Sequence, residues 1–298
     1  MGKIISLINL KGGVGKTTTT VALAEFLSLE FDKKVLVIDL DPQTNATVML
    51  IDQKKWESAN KKKKTIHQMF VDKIDNTNYF DINSSIIKEV SNIGNGIDNL
   101  HLLPSSIDLL EIHDKIPSIA QSNSFMGSPT TVLASQLSDD IIDQYDYILI
   151  DCPPNLGLIT LNGIYLSDYY LIPVIPDILS TYGLPQIIDR INKVSKDFKA
   201  VNRSYDIKQL GIIITKYRVQ SRMHVETADD LVNSGKVGKR GKIEPFPPVF
   251  RDFVPEATRI SEATDISTTI STLKQKYGYN KDIYNTYLAI TNEFISRV

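Results

Sequence analysis

The sequence has almost no cysteine. Cys152 is the one thiol among 298 residues, so neither a disulfide framework nor a cysteine-built metal site can form within one chain. That usage fits a reducing interior. Long apolar runs are also missing, and none approaches the ~18 residues of a membrane span. The opening stretch is apolar but is interrupted by Lys3 and followed by Lys11, which is too short a run for a secretion leader. Met1-Gly2-Lys3-Ile4-Ile5-Ser6 fits the myristoylation pattern, but the same residues read as a buried first strand. Charge of one sign is lacking as well. A net charge of −2 gives no global sign of a nucleic-acid or membrane partner, so any such partner has to be sought in local charge.

What the sequence does contain is a series of short, continuous apolar runs. They lie at Ile4–Ile8, Val35–Ile38, Leu100–Leu103, Tyr147–Ile150, Tyr170–Val174 and Leu210–Ile214. Continuous rather than alternating apolarity marks strands buried on both faces of a parallel sheet. Helical patterns lie between them, as at Thr17–Leu29, Thr131–Tyr145 and Leu184–Phe198. The fold class expected is α/β: a doubly wound, mostly parallel sheet with helices on both faces. The length suits a single domain over 1–298. Residues 52–99, rich in Asn, Asp and Ser and carrying Lys61-Lys62-Lys63-Lys64, read as a surface insertion with a short helix near Ile66–Phe70. The lysine run is ordinarily a solvated face. A last helix is expected over 282–298, where Ile283, Tyr287, Ile290, Phe294 and Ile295 fall at helical spacing.

Between the first run and the first helical pattern stands Leu10-Lys11-Gly12-Gly13-Val14-Gly15-Lys16-Thr17-Thr18. Backbone N–H groups can wrap a phosphate only where side chains leave room, and the three glycines leave it. Lys16 is placed to reach β- and γ-phosphates, Thr17 to offer its hydroxyl to Mg²⁺, and the following helix N-terminus adds its dipole. The strict pattern G-x-x-x-x-G-K-[ST] fails at its first position, where Leu10 stands, and an extra lysine, Lys11, has entered. A glycine-rich turn without a ligand is the plainer alternative. Two further runs end in carboxylates: Ile38-Asp39-Leu40-Asp41-Pro42-Gln43 and Ile148-Leu149-Ile150-Asp151-Cys152-Pro153-Pro154. Carboxylates at strand C-terminal ends face the crevice where α/β sheets bind ligands. Asp151 suits a place in the Mg²⁺ shell. Asp39 and Asp41 also admit a reading as strand-ending caps. After the sixth run, Thr215-Lys216-Tyr217-Arg218 stands where GTPases of related fold carry [NT]-K-x-D. Arg218 cannot accept hydrogen bonds from guanine, which favours adenine.

In these motifs the chain resembles the deviant Walker A P-loop NTPases, and within them the ParA/MinD family, closest to the ParA partition and cargo-positioning ATPases. The likeness covers roughly 1–50 and 100–275 and includes Asn155-Leu156-Gly157, Asn162, Ile172-Pro173-Val174 and Ser180–Leu184. It implies ATP and Mg²⁺ as cofactors. Gly12, Gly13, Val14, Gly15, Lys16, Thr17 and Thr18 are implied as the cradle, with Thr215 and Lys216 beside the nucleotide. It also implies Thr17, Asp39 and Asp151 around the metal, Asp41 aligning the attacking water, and Lys11 reaching across a homodimer interface to the partner's nucleotide. A ParB-like or other small partner protein would stimulate hydrolysis. The expected setting is cytoplasmic and nucleoid-associated.

One local asymmetry supports a polyanion partner. Between Lys193 and Arg251 there are thirteen Lys and Arg against six Asp and Glu. The family binds DNA with arginines in this half, which makes Arg218, Arg222, Lys239, Arg240, Arg251 and Arg259 candidates for non-specific DNA contact. Little room precedes Ile4 for a helix-turn-helix domain, so operator-specific repression is not expected by that route. Two other classes compete. A MinD-like membrane regulator needs a basic amphipathic last helix, whereas the charges over 281–298 cancel. A metabolic ATP-dependent ligase on the same scaffold draws no support from the basic half.

Overall fold

The computed structural model describes residues 2–119, 128–234, 237–238, 241–242, 246–263, 265–278 and 283–298. Its centre is a six-stranded sheet of β1 (Lys3–Leu7), β2 (Val35–Asp39), β3 (Leu100–Leu103), β4 (Tyr147–Asp151), β5 (Tyr169–Val174) and β6 (Lys208–Ile214), in the order β3-β2-β4-β1-β5-β6. Every pairing is parallel. All six apolar runs of the sequence are strands, and they are continuous because neither face meets water. One face carries Ile5, Leu7, Val35, Val37, Leu149, Leu171 and Ile213, packed on the helix α1 (Lys16–Glu30) and on the last helix, Ile283–Arg297. The opposite face carries Ile4, Leu36, Ile38, Ile148, Ile150, Ile172 and Ile212, packed on the helices Ile66–Asp75, Leu158–Leu166 and Ile178–Val201. This is the doubly wound α/β arrangement expected.

Two expectations need correction. The span Thr131–Tyr145 is not one helix: only Asp139–Ile142 is helical, preceded by turns. The buried Asn162 ties the turns in place: its side chain accepts from the Leu133 amide at 3.0 Å and donates to the Pro129 carbonyl at 2.8 Å. Nor is the stretch 52–99 an irregular appendage. It forms the helices Gln53–Lys61, Ile66–Asp75 and Ile82–Ser85. Its Ile66, Met69, Phe70, Phe80 and Ile82 are buried in the second of those cores. Its polar residues do local work: the Asp52 side chain accepts from the Lys55 amide and caps one helix, and Asp81 does the same for Ser84.

The last helix turns Ile283, Tyr284, Tyr287, Ile290, Thr291 and Phe294 inward. Arg297 fastens its end. The guanidinium donates to the carbonyls of Leu210 at 3.1 Å, Pro248 at 3.0 Å and Val249 at 2.9 Å, and lies 4.0 Å from the Phe250 ring centroid. Among the described residues no helix is long and apolar enough to cross a membrane.

Candidate functional site

The strand order puts the loop after β1 between β4 and β5, so the C-terminal ends of four strands converge around it. The loop turns through Gly13 at φ 73° and Gly15 at φ 81°, left-handed values that a residue with a Cβ adopts at a cost. A Cβ built on Gly12 or Gly13 meets nothing within 4 Å, so the loop opens onto free space. That space is a cleft of ≈ 480 Å³ lined by Gly12, Gly13, Gly15, Lys16, Thr17, Thr18, Asp41, Gln43, Asn45, Val48, Met49, Pro154 and Lys216. Val14 is fully buried, and its carbonyl accepts from the Thr215 hydroxyl at 2.7 Å. Thr215 therefore braces the loop from behind, and Lys216, at φ 48°, lines the cleft.

The two loop lysines diverge. Lys16 is 6% exposed and folds back along the loop, donating to the Asn9 carbonyl at 3.1 Å. Burial lowers its pKa, partly offset by the negative field of Asp151. Lys11 runs the other way. Its ammonium meets Asp177 at 2.7 Å and Ser180 at 3.4 Å, at the start of the helix Ile178–Val201, and it does not line the cleft.

The carboxylates form a layered set. Asp39 and Asp151 are register partners on β2 and β4, and both are fully buried. Burial, with the Asp151 charge beside it, pushes Asp39 well above the carboxylate range. Burial pushes Asp151 up to about 7, against hydrogen bonds from Thr17 at 2.7 Å and Thr20 at 3.2 Å. Asp39 is taken up by the protein: Oδ1 accepts from the Asp41 amide at 3.0 Å, and Oδ2 from the Thr47 amide at 2.9 Å and the Thr47 hydroxyl at 2.7 Å. Three hydrogen bonds thus engage Asp39 and hold the turn that carries Asp41. Asp41 is 6% exposed and lines the cleft. Thr17 and Asp151 do sit together, as a magnesium shell needs. Among the described residues no group of three or more His, Cys, Asp or Glu is placed to hold a metal ion. Cys152 is fully buried, and burial pushes its thiol up to about 12, so it packs as an inert group.

Three positioning residues were not foreseen. Asn9 accepts from the Lys11 amide at 2.9 Å and donates to the Pro173 carbonyl at 2.7 Å, tying the loop to β5. Thr47 holds Asp39, and Asp177 holds Lys11. Each role depends on tertiary neighbours rather than on spacing.

The candidate DNA residues are less gathered. Arg218 pairs with Glu256, Arg222 with Glu226 at 2.8 Å, and Arg259 with Glu262 at 3.2 Å and with the Gln275 carbonyl. Arg251 is exposed, its amide bound to Glu293 at 3.0 Å. Lys239 and Arg240 lie outside the described residues.

A glycine loop between a buried strand and a helix, with lysine, threonine and aspartate converging on its mouth, defines a P-loop nucleoside triphosphatase of the doubly wound class. Comparison with known proteins narrows this. The family model AAA_31, an AAA domain, matches residues 2–207. The sporulation initiation inhibitor protein Soj of Bacillus subtilis is 31% identical over 265 residues, 88% of each chain. A putative plasmid partition protein of Borrelia burgdorferi, solved bound to AMPPNP, superposes over 100% of both chains with TM-score 0.69 at 22% identity. A cobyrinic acid a,c-diamide synthase of Mycobacterium smegmatis, solved with an ATP analog and magnesium, superposes over 98% of this chain and 93% of that one with TM-score 0.69 at 21% identity. The chain belongs to the ParA/MinD family of P-loop ATPases.

Proposed function

We propose that the protein is a ParA-type ATPase that uses Mg²⁺, forms a nucleotide-bridged homodimer, binds DNA without sequence preference and partitions or positions a cargo. The observation that carries the reading is the divergence of the two loop lysines. Lys16 serves its own cleft, while Lys11 leaves it and stands 39% exposed at the molecular surface, where a second copy can meet it. The opened glycine loop fits a triphosphate, and the Thr17–Asp151 pair fits a magnesium shell.

Magnesium, when bound, neutralises charge building on the γ-phosphate. The rest is positioning by the chain. Glycine-loop amides and Lys16 hold the phosphates. Asp41, fixed by the Asp39–Thr47 bonds, orients a water for attack on the γ-phosphorus. The bond to the β–γ bridging oxygen breaks, giving ADP, phosphate and a proton. Beside the cleft a side cavity of ≈ 110 Å³, sharing Gly15, Thr18 and Lys216 with it and walled by Pro255, Glu256, Ala257 and Ile260, is assigned to the base.

For DNA, Arg251, Lys239 and Arg240 are the first candidates. Arg218, Arg222 and Arg259 would have to exchange a carboxylate for a phosphate. A membrane-surface role for the last helix is not supported, because its apolar face is already buried in the core. A ligase reading rests on fold likeness alone.

The test is binding to arbitrary duplex DNA with ATP, with ADP and with no nucleotide, at 50 mM and 200 mM salt. The expected result is tight binding with ATP only, weakened by at least about tenfold at the higher salt. Binding that ignores nucleotide, or none at all, would refute the partition reading.

A further inference from the structure

The run Lys61-Lys62-Lys63-Lys64 takes no part in the nucleotide cleft or its side cavity. With Lys54 and Lys55 it puts six lysines between Gln53 and Lys64 against one acidic residue, Glu57. Five of the six are exposed, and Lys64 is half-buried. Among the described residues none of them forms an ion pair. The helix macrodipole accounts for Lys61 and Lys62, which stand at the C-terminal end of the helix Gln53–Lys61. It does not account for the others.

Lys54 and Lys55 stand in the first turn of that helix, which holds no acidic residue. The macrodipole disfavours cations there. Lys63 stands just past the other end, at φ 59°. Its amide donates to the Asn60 carbonyl at 3.0 Å, and the Lys64 amide to the Ala59 carbonyl at 2.9 Å. Those are the closing bonds of a helix end whose left-handed residue is ordinarily glycine, and a lysine is strained in that conformation. The Lys63 ammonium lies 3.9 Å from the centroid of the Tyr79 ring, itself 64% exposed, so the charge is held at the surface. At both ends of one helix local stability is given up for positive charge. Departures of that kind concentrate at functional sites.

The helix is a fixed platform. Trp56 Nε1 donates to the Ser105 carbonyl at 3.1 Å and Asn60 to Asp108 at 2.8 Å, both in the segment after β3. β3 is one edge of the sheet, and β6, which binds the Phe250 amide next to Arg251, is the other. The lysine face is therefore separate from the arginines of the second half. Three of the four arginine candidates described there already hold a carboxylate, whereas the lysines have no such partner to exchange. Ammonium groups are point charges without a forked geometry, which suits a row of phosphates read without sequence preference. Between Gln53 and Lys64 no apolar side chain is exposed that could enter a bilayer.

Resting on the DNA-binding reading, we propose that the lysine face of the helix Gln53–Lys61 and the turn after it is a second contact for the phosphate backbone of duplex DNA, at the edge of the sheet opposite Arg251.

The test is fluorescence anisotropy of a labelled duplex of arbitrary sequence with the full chain, Mg²⁺ and ATP, over a series of salt concentrations. The variants are Lys54→Gln/Lys55→Gln, Lys63→Gly and all three changes combined. The slope of log affinity against log salt is expected to become shallower by about one for each lysine removed. The combined variant is expected to bind at least about tenfold more weakly at low salt. The thermal midpoint of each free variant is expected to match or exceed that of the wild type, because each change removes a lysine from a position where it opposes folding. Wild-type affinity and slope in the combined variant overturn this proposal alone and leave the lysines to solvent or to an acidic protein. The same result joined to lost binding of phosphatidylserine vesicles assigns the face to a membrane and also overturns it. Weaker DNA binding with an unchanged slope and a lowered thermal midpoint overturns it as well, since that reports damage to the fold. A wild type that binds no DNA sinks the DNA reading and this proposal with it.

Discussion

At the residue scale, the buried carboxylate pair makes the clearest physical statement. Asp39 and Asp151 are register partners on adjacent strands, and neither side chain is exposed to water. Both resist ionising because burial penalises the charge, and Asp151 titrates near 7 instead of 3.8. Between those two values the unfolded chain has released the Asp151 proton and the folded chain keeps it. Folding stability from this group therefore falls as pH rises through that window, and stays low above it. Asp151→Asn keeps the neutral shape at every pH. In the nucleotide-free protein it is expected to raise the thermal midpoint at pH 8, by about 3 °C or more, with the gain fading toward pH 4. Turnover is expected to be lost. Calorimetric scans at pH 4, 6 and 8 check this, and a variant that is less stable at pH 8 would contradict it.

The residue scale also shows what was legible in the sequence. Gly13 and Gly15, Lys16, Thr17, Asp41 and Asp151 were legible as candidates because the proposed chemistry needs those residue types in that order. Asn9, Thr47 and Asp177 were not. Asparagine before a turn, threonine in a short helix and aspartate at a helix start are all common, and only the fold brings them to Lys11, Asp39 and the loop backbone. The bonds of Asp39 were not legible for the same reason: the sequence places it beside Asp41 but cannot show that Thr47 donates to its oxygens.

At the element scale, α1 is held from behind by a buried ion pair. Glu25 accepts from Lys276 at 2.6 Å, Tyr277 at 2.8 Å and Ser91 at 2.5 Å, and both charged side chains are fully buried. Removing one partner strands the other charge. Lys276→Met is expected to cost about 3–5 kcal/mol, whereas Glu25→Leu with Lys276→Met recovers most of that loss. Urea denaturation of the two variants decides it, and a double variant as weak as the single would argue against the account. Arg297→Met is expected to loosen the last helix from β6, lowering stability by about 1.5–3 kcal/mol. The elements themselves were unevenly readable. Strands buried on both faces announce themselves as continuous apolar runs. The pattern at Thr131–Tyr145 imitated a helix because Val132, Leu133, Leu137, Ile141 and Ile142 are all buried, yet only Asp139–Ile142 is helical and the residues before it form turns. The stretch 52–99 looked loop-like because Asn, Asp and Ser also serve as helix caps.

At the scale of the whole molecule, the sheet collects strand ends so that the glycine loop, Thr17, Asp41 and Asp151 come from one chain to one end of the sheet. It does not direct Lys11 into its own cleft. Lys11 is bound to Asp177 and Ser180, and in the function proposed above its transfer to a second copy would be the step that converts a nucleotide binder into a switch. Lys11→Ala is expected to keep ATP affinity within about threefold and to lose ATP-dependent association. Asp41→Ala is expected to bind ATP, fail to hydrolyse it and remain associated. The most direct measurement is therefore the molar mass in solution of Asp41→Ala and of Asp41→Ala/Lys11→Ala, by light scattering with Mg²⁺ and ATP. A mass twice that of the chain for the first, and of a single chain for the second, is the expected result. A monomer in both, or a dimer in both, would contradict the claim that Lys11 joins two copies across their nucleotides.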